Sequence, residues 1–310
     1  MLATVYDDKL KPLGAKKRRT HGYRGAAAGM KRMIETVDRA LEAAGASRDE
    51  LAGVGLGTPG PVDLEKGVLM DAPNMGWKDV PLRDALRKEF DCPVELAKDV
   101  DLGVFAEYRF GAAKGARCVI GLFPGTGVGG GCVYEGKILR GRTRSCMEIG
   151  HIPVMVDGPP CGCGRNGCLE AIASRLAVSA GAAAAKYRGK APHLETGDGI
   201  DLIQIRSSAL TNSVEAGDEA VAELIRTAAR WMARALGGIV NLMDPDVIIL
   251  GGGLVDATPK LVKDEIEKHI GRYVMPTFEG TYKIKIAELG DDAVCMGAAA
   301  WVQDVVTGGA

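Results

Sequence analysis

EIGHIPVMVDGPPCGCGRNGCLE, residues 148–170, carries His151 and then Cys161, Cys163 and Cys168. Zinc takes four tetrahedral nitrogen or sulfur donors, and thiolates on a tight glycine-containing turn plus one imidazole supply all four. With no coordination position left open, such a site is structural. Three cysteines crowded on a turn of this kind cannot be buried well as free thiols, which argues against unrelated thiols beside a lone histidine. Ligation contributes on the order of 10 kcal/mol to local folding, so whatever the loop carries is held rigidly. It carries Glu148, just before His151, and Glu170, just after Cys168. Carboxylates and imidazole nitrogens suit the hydroxyls of a sugar; the plainer alternative is a pair of solvated surface glutamates.

Upstream, CVIGLFPGTGVGGGCVYEGKILRG (118–141) reads as two strands joined by a glycine-rich turn with Thr126 at its tip. Glycines accept positive φ, so the amides of 125–131 can turn toward an anion, with the Thr126 hydroxyl as a further donor. An ordinary hairpin turn is the competing reading. CPVELAKDV (92–100) is a short strand ending in an acidic turn, before the helix GVFAEYRF. Asp99 in that turn can accept the proton of an attacking hydroxyl, or it can cap the helix, a role Asp101 would also fill. Nearer the start, LATVYD is a strand, DDKLKPLG a charged turn and AKKRRTH a second strand or extended arm. A helix follows at about 25–45, where Met30, Met33, Ile34, Val37, Leu41 and Ala44 recur at helical spacing before a glycine. LAGVGLGTPGPVD reads as a buried strand running into a turn, and VPLRDALRKEF as an amphipathic helix.

Downstream, LEAIASRLAVSAGAAAAKY and DEAVAELIRTAARWMARALGGIVNLM are long helical stretches, separated by a polar, patternless segment at 188–215. DPDVIILGGGLV is a buried strand of parallel type ending in a second glycine loop, ILGGG at 249–253, and MGAAAWVQDVV is a closing helix. Strands alternating with helices, with glycines at strand ends, argue for an α/β fold that binds ligands at the carboxyl ends of its strands.

Composition narrows the function. At 310 residues the chain is long enough for two lobes. Its 39 basic and 40 acidic side chains leave a formal net charge of -1, which gives no electrostatic reason for a nucleic-acid or anionic-membrane partner. No apolar run reaches the roughly 18 residues of a membrane span, and the start lacks a signal-peptide core, so a cytoplasmic protein acting on small molecules is expected. Cys92, Cys118, Cys132, Cys146 and Cys295 lie mostly in apolar runs and read as buried free thiols of a reducing compartment.

TPGPVD, APNMGW, GTGVGGG, EIGHIPV, CGCGRNGCLE and NLMDPDVIILGGGLV together resemble the ROK proteins (repressors, open reading frames and sugar kinases), most closely their glucokinases. The resemblance implies an actin-like ATPase (ribonuclease H-like) fold of two α/β domains with an interdomain cleft and a structural zinc loop. It places a small domain at 1–97, with 295–310 packing back on it, and a large domain at 98–294. It implies ATP-dependent phosphorylation of a hexose, glucose to glucose 6-phosphate, with Asp99 as general base. Gly60, Asn74, Lys98, Asp99, Glu148, His151 and Glu170 would then bind the sugar. Gly125, Thr126, Gly127, Gly129, Gly130, Gly252 and Gly253 would bind the nucleotide. Mg²⁺ would accompany ATP, zinc would sit on His151 and the three cysteines, and the protein would be a homodimer.

Two departures qualify the match. The family's kinases begin with a strand ending in an Asp-x-Gly-Gly-Thr loop, and Met1 falls where the strand after that loop should begin; a missing N-terminal segment is expected. Lys98 stands where the kinases usually carry Asn, replacing a donor and acceptor by a charged donor. A non-catalytic sugar-binding or regulatory member is the alternative, although no basic recognition helix precedes the first strand. Fructose, mannose and N-acetylhexosamines are alternative substrates, and polyphosphate an alternative donor.

Overall fold

The computed structural model describes residues 1–72, 75–142, 146–197, 200–202 and 204–308. Met1–Ala106, Lys137–Cys146 and Asp291–Ala310 form one compact unit, and Glu107–Gly136 and Met147–Gly290 form another.

The first unit begins with an antiparallel pair, β1 (Leu2–Tyr6) and β2 (Pro12–Lys17). Asp7 closes the intervening turn by accepting from the amides of Lys9 and Lys11 at 3.0 and 2.8 Å, so the expected charged turn is shortened and β2 starts at Pro12. The helix expected at 25–45 is α1 (Ala26–Ala44), ended by Gly45 at φ 69, a left-handed position that glycine adopts without steric cost. Then come β3 (Val54–Thr58), β4 (Val62–Asp63), β5 (Val68–Ala72), β6 (Trp77–Val80), α2 (Leu82–Phe90) and β7 (Val94–Lys98). β3 runs parallel to β7, with Thr58 opposite Lys98, and β4, β5 and β6 form an antiparallel meander that the sequence did not announce. β3 is half-buried over most of its length, not buried as its composition suggested. Leu86 and Phe90 of α2 and Val94 of β7 form a core against Met33, Ile34 and Val37 of α1. α3 (Asp99–Arg109) follows β7 without a break, and Asp99 is its first residue.

In the second unit, β8 (Cys118–Pro124) pairs antiparallel with β9 (Val128–Tyr134) in the expected glycine hairpin. The chain then passes through β10 (Lys137–Ile138), in the first unit, before α4 (Leu169–Ala173), α5 (Arg175–Tyr187), α6 (Ser207–Glu215) and α7 (Glu219–Met243). β11 (Val247–Leu250), α8 (Gly253–Ala257), α9 (Pro259–Ile270) and β12 (Lys283–Ile286) complete this unit, and α10 (Ala293–Val306) closes the chain within the first. β8, β11 and β12 are parallel neighbours, with Val119 opposite Val247 and Val247 opposite Lys283. All four residues of β11 are buried, as a strand covered on both faces requires. α7 buries Ile225, Ala228, Met232, Leu236 and Ile239 at helical spacing. In the first unit, α10 lies directly on β3 because Gly55 has no Cβ; one there would stand 2.0 Å from the Ala298 carbonyl oxygen.

Two departures from the sequence reading have local causes. The stretch at 169–187 is two helices, broken at Ser174 (φ -68, ψ 157), whose hydroxyl accepts from the Ala177 amide at 3.1 Å and caps α5. The segment read as patternless contains α6, and it is anchored by His193. Asp218, 3% exposed, accepts from the His193 amide at 3.0 Å and the Ser213 hydroxyl at 2.6 Å, and its Oδ1 lies 2.9 Å from His193 Nδ1. Burial pushes the Asp218 carboxyl up, but Ser213 and His193 outweigh it and hold it below the usual carboxylate range.

Glu107 is fully buried in the second unit. Its two oxygens accept from the amides of Ala112, Glu288 and Leu289 at 2.9, 2.8 and 2.9 Å, which satisfies a carboxylate that would otherwise be costly to bury. Among the described residues no helix is long and apolar enough to cross a membrane.

Candidate active site

The loop after residue 146 is shaped before any metal is considered. Met147 has φ 59, an unusual conformation for a side chain of its size. Glu148 follows at φ -76, ψ 60, and the Ile149 amide donates to the Met147 carbonyl at 2.8 Å. This is an inverse γ-turn with Glu148 at its centre. His151 is tied back by its amide to the Glu148 carbonyl at 3.0 Å. Farther along, the Cys161 amide donates to the Arg165 carbonyl at 2.7 Å and Gly164 to Cys161 at 3.0 Å, making the tight turn that presents the three sulfurs.

The ligand atoms of His151, Cys161, Cys163 and Cys168 all lie within 4.8 Å of one another. His151 Nδ1 is 3.6 Å from the Cys161 sulfur, and the Cys163 and Cys168 sulfurs are 3.7 Å apart. A tetrahedron with metal–sulfur bonds of about 2.3 Å has edges of about 3.8 Å, so these separations fit zinc. The thiols themselves ask for a cation. Burial first, and then the neighbouring thiols, push Cys168 up to about 12, and burial raises Cys161, whereas the Arg165 amide holds Cys163 below its ordinary value. A dication among them would replace those protons.

Glu170, near the start of α4, connects this cluster to the glycine hairpin. One oxygen lies 3.8 Å from the Cys161 sulfur, and the other accepts from the Val128 amide at 2.9 Å. A Cβ on Gly127 would stand 2.2 Å from that second oxygen, and one on Gly130 would meet the Ile149 side chain at 2.5 Å. These contacts correct the expectation that the glycines of 125–131 adopt positive φ. None of Gly125, Gly127, Gly129 and Gly130 has positive φ, and Gly129 and Gly130 lie inside β9. At Gly127 and Gly130 the missing side chain serves close packing against the cysteine loop. Gly252 does turn left-handed, at φ 81, and precedes α8, which begins at Gly253.

Arg175 was not singled out by the sequence, yet it binds the hairpin from the other side. Its amide donates to the Gly125 carbonyl at 2.9 Å and its guanidinium to the Thr126 hydroxyl at 3.1 Å. The break at Ser174 sets this up, and a serine three residues before a helical amide was the available signal.

In the first unit, Asp99 accepts from the adjoining Val100 amide at 2.8 Å. Lys98, 4% exposed, donates to the Cys146 carbonyl at 2.6 Å. Gly60 turns the chain after β3 at φ 84, where a Cβ would stand 2.2 Å from the Asp71 carbonyl oxygen. Asn74 lies outside the described residues. Within the second unit, His151, Glu170, the cysteines and the hairpin glycines come together; Gly60, Lys98 and Asp99 belong to the first unit.

Known proteins are similar to this chain over most of its length. A glucokinase of Halalkalibacterium halodurans is 33% identical over 269 residues, covering 86% of this chain and 80% of that protein. One of Thermotoga maritima is 34% identical, covering 84% and 82%. The crystal structure of a ROK family glucokinase from Streptomyces griseus, in complex with glucose and AMPPNP, superposes with a TM-score of 0.84 at 32% identity, covering 96% of this chain and 94% of that one. Residues 3–305 match the model of the ROK family. With a match of that length, and relatives alike over most of both chains, this chain belongs to the ROK family.

Proposed function

We propose that the protein phosphorylates a hexose, glucose being the preferred substrate, on its primary hydroxyl, with ATP and Mg²⁺ as the donor complex. The observation that carries this reading is the junction at Glu170, where one carboxylate reaches both the Cys161 sulfur and the Val128 amide of the glycine hairpin. A sugar-binding loop and a phosphate-binding hairpin joined by one side chain suit phosphoryl transfer, in which catalysis is mostly positioning and charge stabilisation. The glucokinases above support a hexose kinase.

In this reading Glu148, His151 and Glu170 bind the sugar hydroxyls, and Gly60, Asn74 and Lys98 contribute from the first unit. Asp99 takes the proton of the attacking hydroxyl. Gly125, Thr126, Gly127, Gly129 and Gly130, with Gly252 and Gly253, bind the donor. Zinc on His151, Cys161, Cys163 and Cys168 supplies no chemistry beyond fixing the loop. The protein works as a cytoplasmic homodimer.

The test is an ATP-coupled phosphorylation screen over glucose, fructose, mannose and N-acetylhexosamines. It is run on these 310 residues and on a version extended by a strand carrying Asp-x-Gly-Gly-Thr. Glucose should give the highest kcat/KM. If neither version phosphorylates any hexose, the reading fails.

A further inference from the structure

We propose that Arg19, His21, Arg24 and Arg32, in the first unit, form a binding site for a phosphate group, free or carried by a soluble metabolite. None of these residues is assigned to the hexose or to the donor, and the site stands or falls independently of the kinase reading.

The chain as a whole is balanced, with a formal net charge of -1, yet KKRRTHGYRGAAAGMKR (16–32) holds seven lysines and arginines and no acidic side chain. Two of the seven are neutralised from elsewhere in the first unit: Lys17 by Asp291 at 2.9 Å and Arg18 by Glu35 at 3.1 Å. Among the described residues, Arg19, Arg24 and Arg32 have no carboxylate partner.

The local backbone draws those three together. β2 ends at Lys17, and His21 then turns the chain at φ 52, ψ 40, a left-handed position uncommon for any residue but glycine. The Tyr23 hydroxyl lies 3.4 Å from His21 Nδ1, with the two rings edge to face, and the Arg24 guanidinium stands 5.8 Å from the Tyr23 ring centre. From α1, Arg32 reaches back and donates through Nε to the Arg19 carbonyl at 2.5 Å. That bond leaves its two terminal nitrogens to a ligand. Trp77 of β6 secures the arrangement: its indole N–H donates to the Gly22 carbonyl at 3.0 Å, and its ring fills the space that a Cβ on Gly29 would need.

The imidazole registers all three arginines. Partial burial first, and then the charges of Arg32, Arg24 and Arg19, hold His21 below its ordinary value. Like charges gathered in this way repel one another and are screened only by water. A phosphate dianion supplies the missing counter-charge. Its oxygens match the guanidinium fork, in bonds roughly twice as strong as neutral ones, and its charge favours the imidazolium form of His21, which donates from both nitrogens. A carboxylate offers one charge and two oxygens, too few for three arginines. Tyr23 is 76% exposed and Arg19 and Arg24 are exposed, so the approach is open.

The experiment follows the His21 imidazole by NMR as inorganic phosphate or glucose 6-phosphate is added, with ionic strength held constant by chloride. It uses the wild type, Arg24→Gln, Arg32→Gln and, as a control for general charge, Lys260→Gln, an exposed lysine of the second unit. In the wild type the His21 shift should saturate and its pKa should rise as ligand fills the site. Arg24→Gln and Arg32→Gln should each weaken binding about tenfold or more, as loss of a charge-assisted bond implies, and Lys260→Gln should leave it unchanged. Arg32→Lys, which keeps the charge and loses the fork, replaces the glutamine variant if that one disturbs the turn, and it too should bind more weakly than the wild type. Saturation by inorganic phosphate as tightly as by glucose 6-phosphate supports a site for the free anion, and tighter saturation by glucose 6-phosphate supports one for a phosphomonoester. A shift that never saturates with either ligand, or that is weakened equally in all the variants, overturns the site.

Discussion

The cysteine loop and the β7–α3 junction hold carboxylates by opposite means. Glu148 and Glu170 flank a cluster whose four candidate ligands all come from residues 151–168, so a short piece of chain, together with any ion it binds, fixes them. Asp99 sits where a buried strand becomes a helix. The far end of that helix is secured by Glu107, which reaches amides more than 180 positions away. The first arrangement is local and removable by chemistry. The second is distributed and fails only with the surrounding fold.

The largest effect should come from breaking the local arrangement. Cys161→Ser, or treatment with a strong chelator, should remove the metal and with it on the order of 10 kcal/mol of loop stabilisation. Metal analysis and hexose binding should fall together. Acid should do the same, because protons compete for the thiolates and affinity declines as pH falls. Retained hexose binding in metal-free protein would show that backbone bonds alone support the loop.

Asp99→Asn should separate the two regions. Turnover should drop about 10²–10⁴-fold while metal content and fold remain at wild-type levels, as loss of a general base implies. Full activity would remove Asp99 from the reaction. Next in size, Glu107→Ala should leave one buried and two part-buried amides without their acceptor and cost about 3 kcal/mol in urea denaturation. Glu107→Gln should cost less, because its carbonyl still serves Glu288 and Leu289 while its amide opposes Ala112. A neutral outcome for both would mean that α3 needs no distant anchor.

Smallest is Ser213→Ala, expected to cost about 1 kcal/mol near neutral pH. Asp218 is held below its ordinary value, so its contribution is complete above an unfolded pKa of about 3.9 and is lost as pH falls through the lower folded value. The difference between wild type and variant should therefore shrink below about pH 4. A difference independent of pH would assign the cost to packing.

What the sequence showed and what it hid follow the same division. The ligand set is legible because its four residues lie close together in the chain, between 151 and 168. α1, α7 and β11 are legible because burial repeats at helical spacing or runs unbroken. Glu107 is hidden because its partners lie across the unit and leave no local signature; one glutamate in an apolar helix looks like an exposed one. Arg175 is hidden behind the helical look of 169–187, where Ser174 capping overrides the periodicity. In the glycine hairpin positive φ was the wrong expectation: Gly127 and Gly130 have none, and their missing side chains make room for Glu170 and Ile149.

The compactness of the cysteine cluster also has a consequence during synthesis. Its last ligand, Cys168, leaves the ribosome before α7, β11 or α10 has been made. The ion can therefore be captured by a nascent chain that has no finished sheet in its second unit.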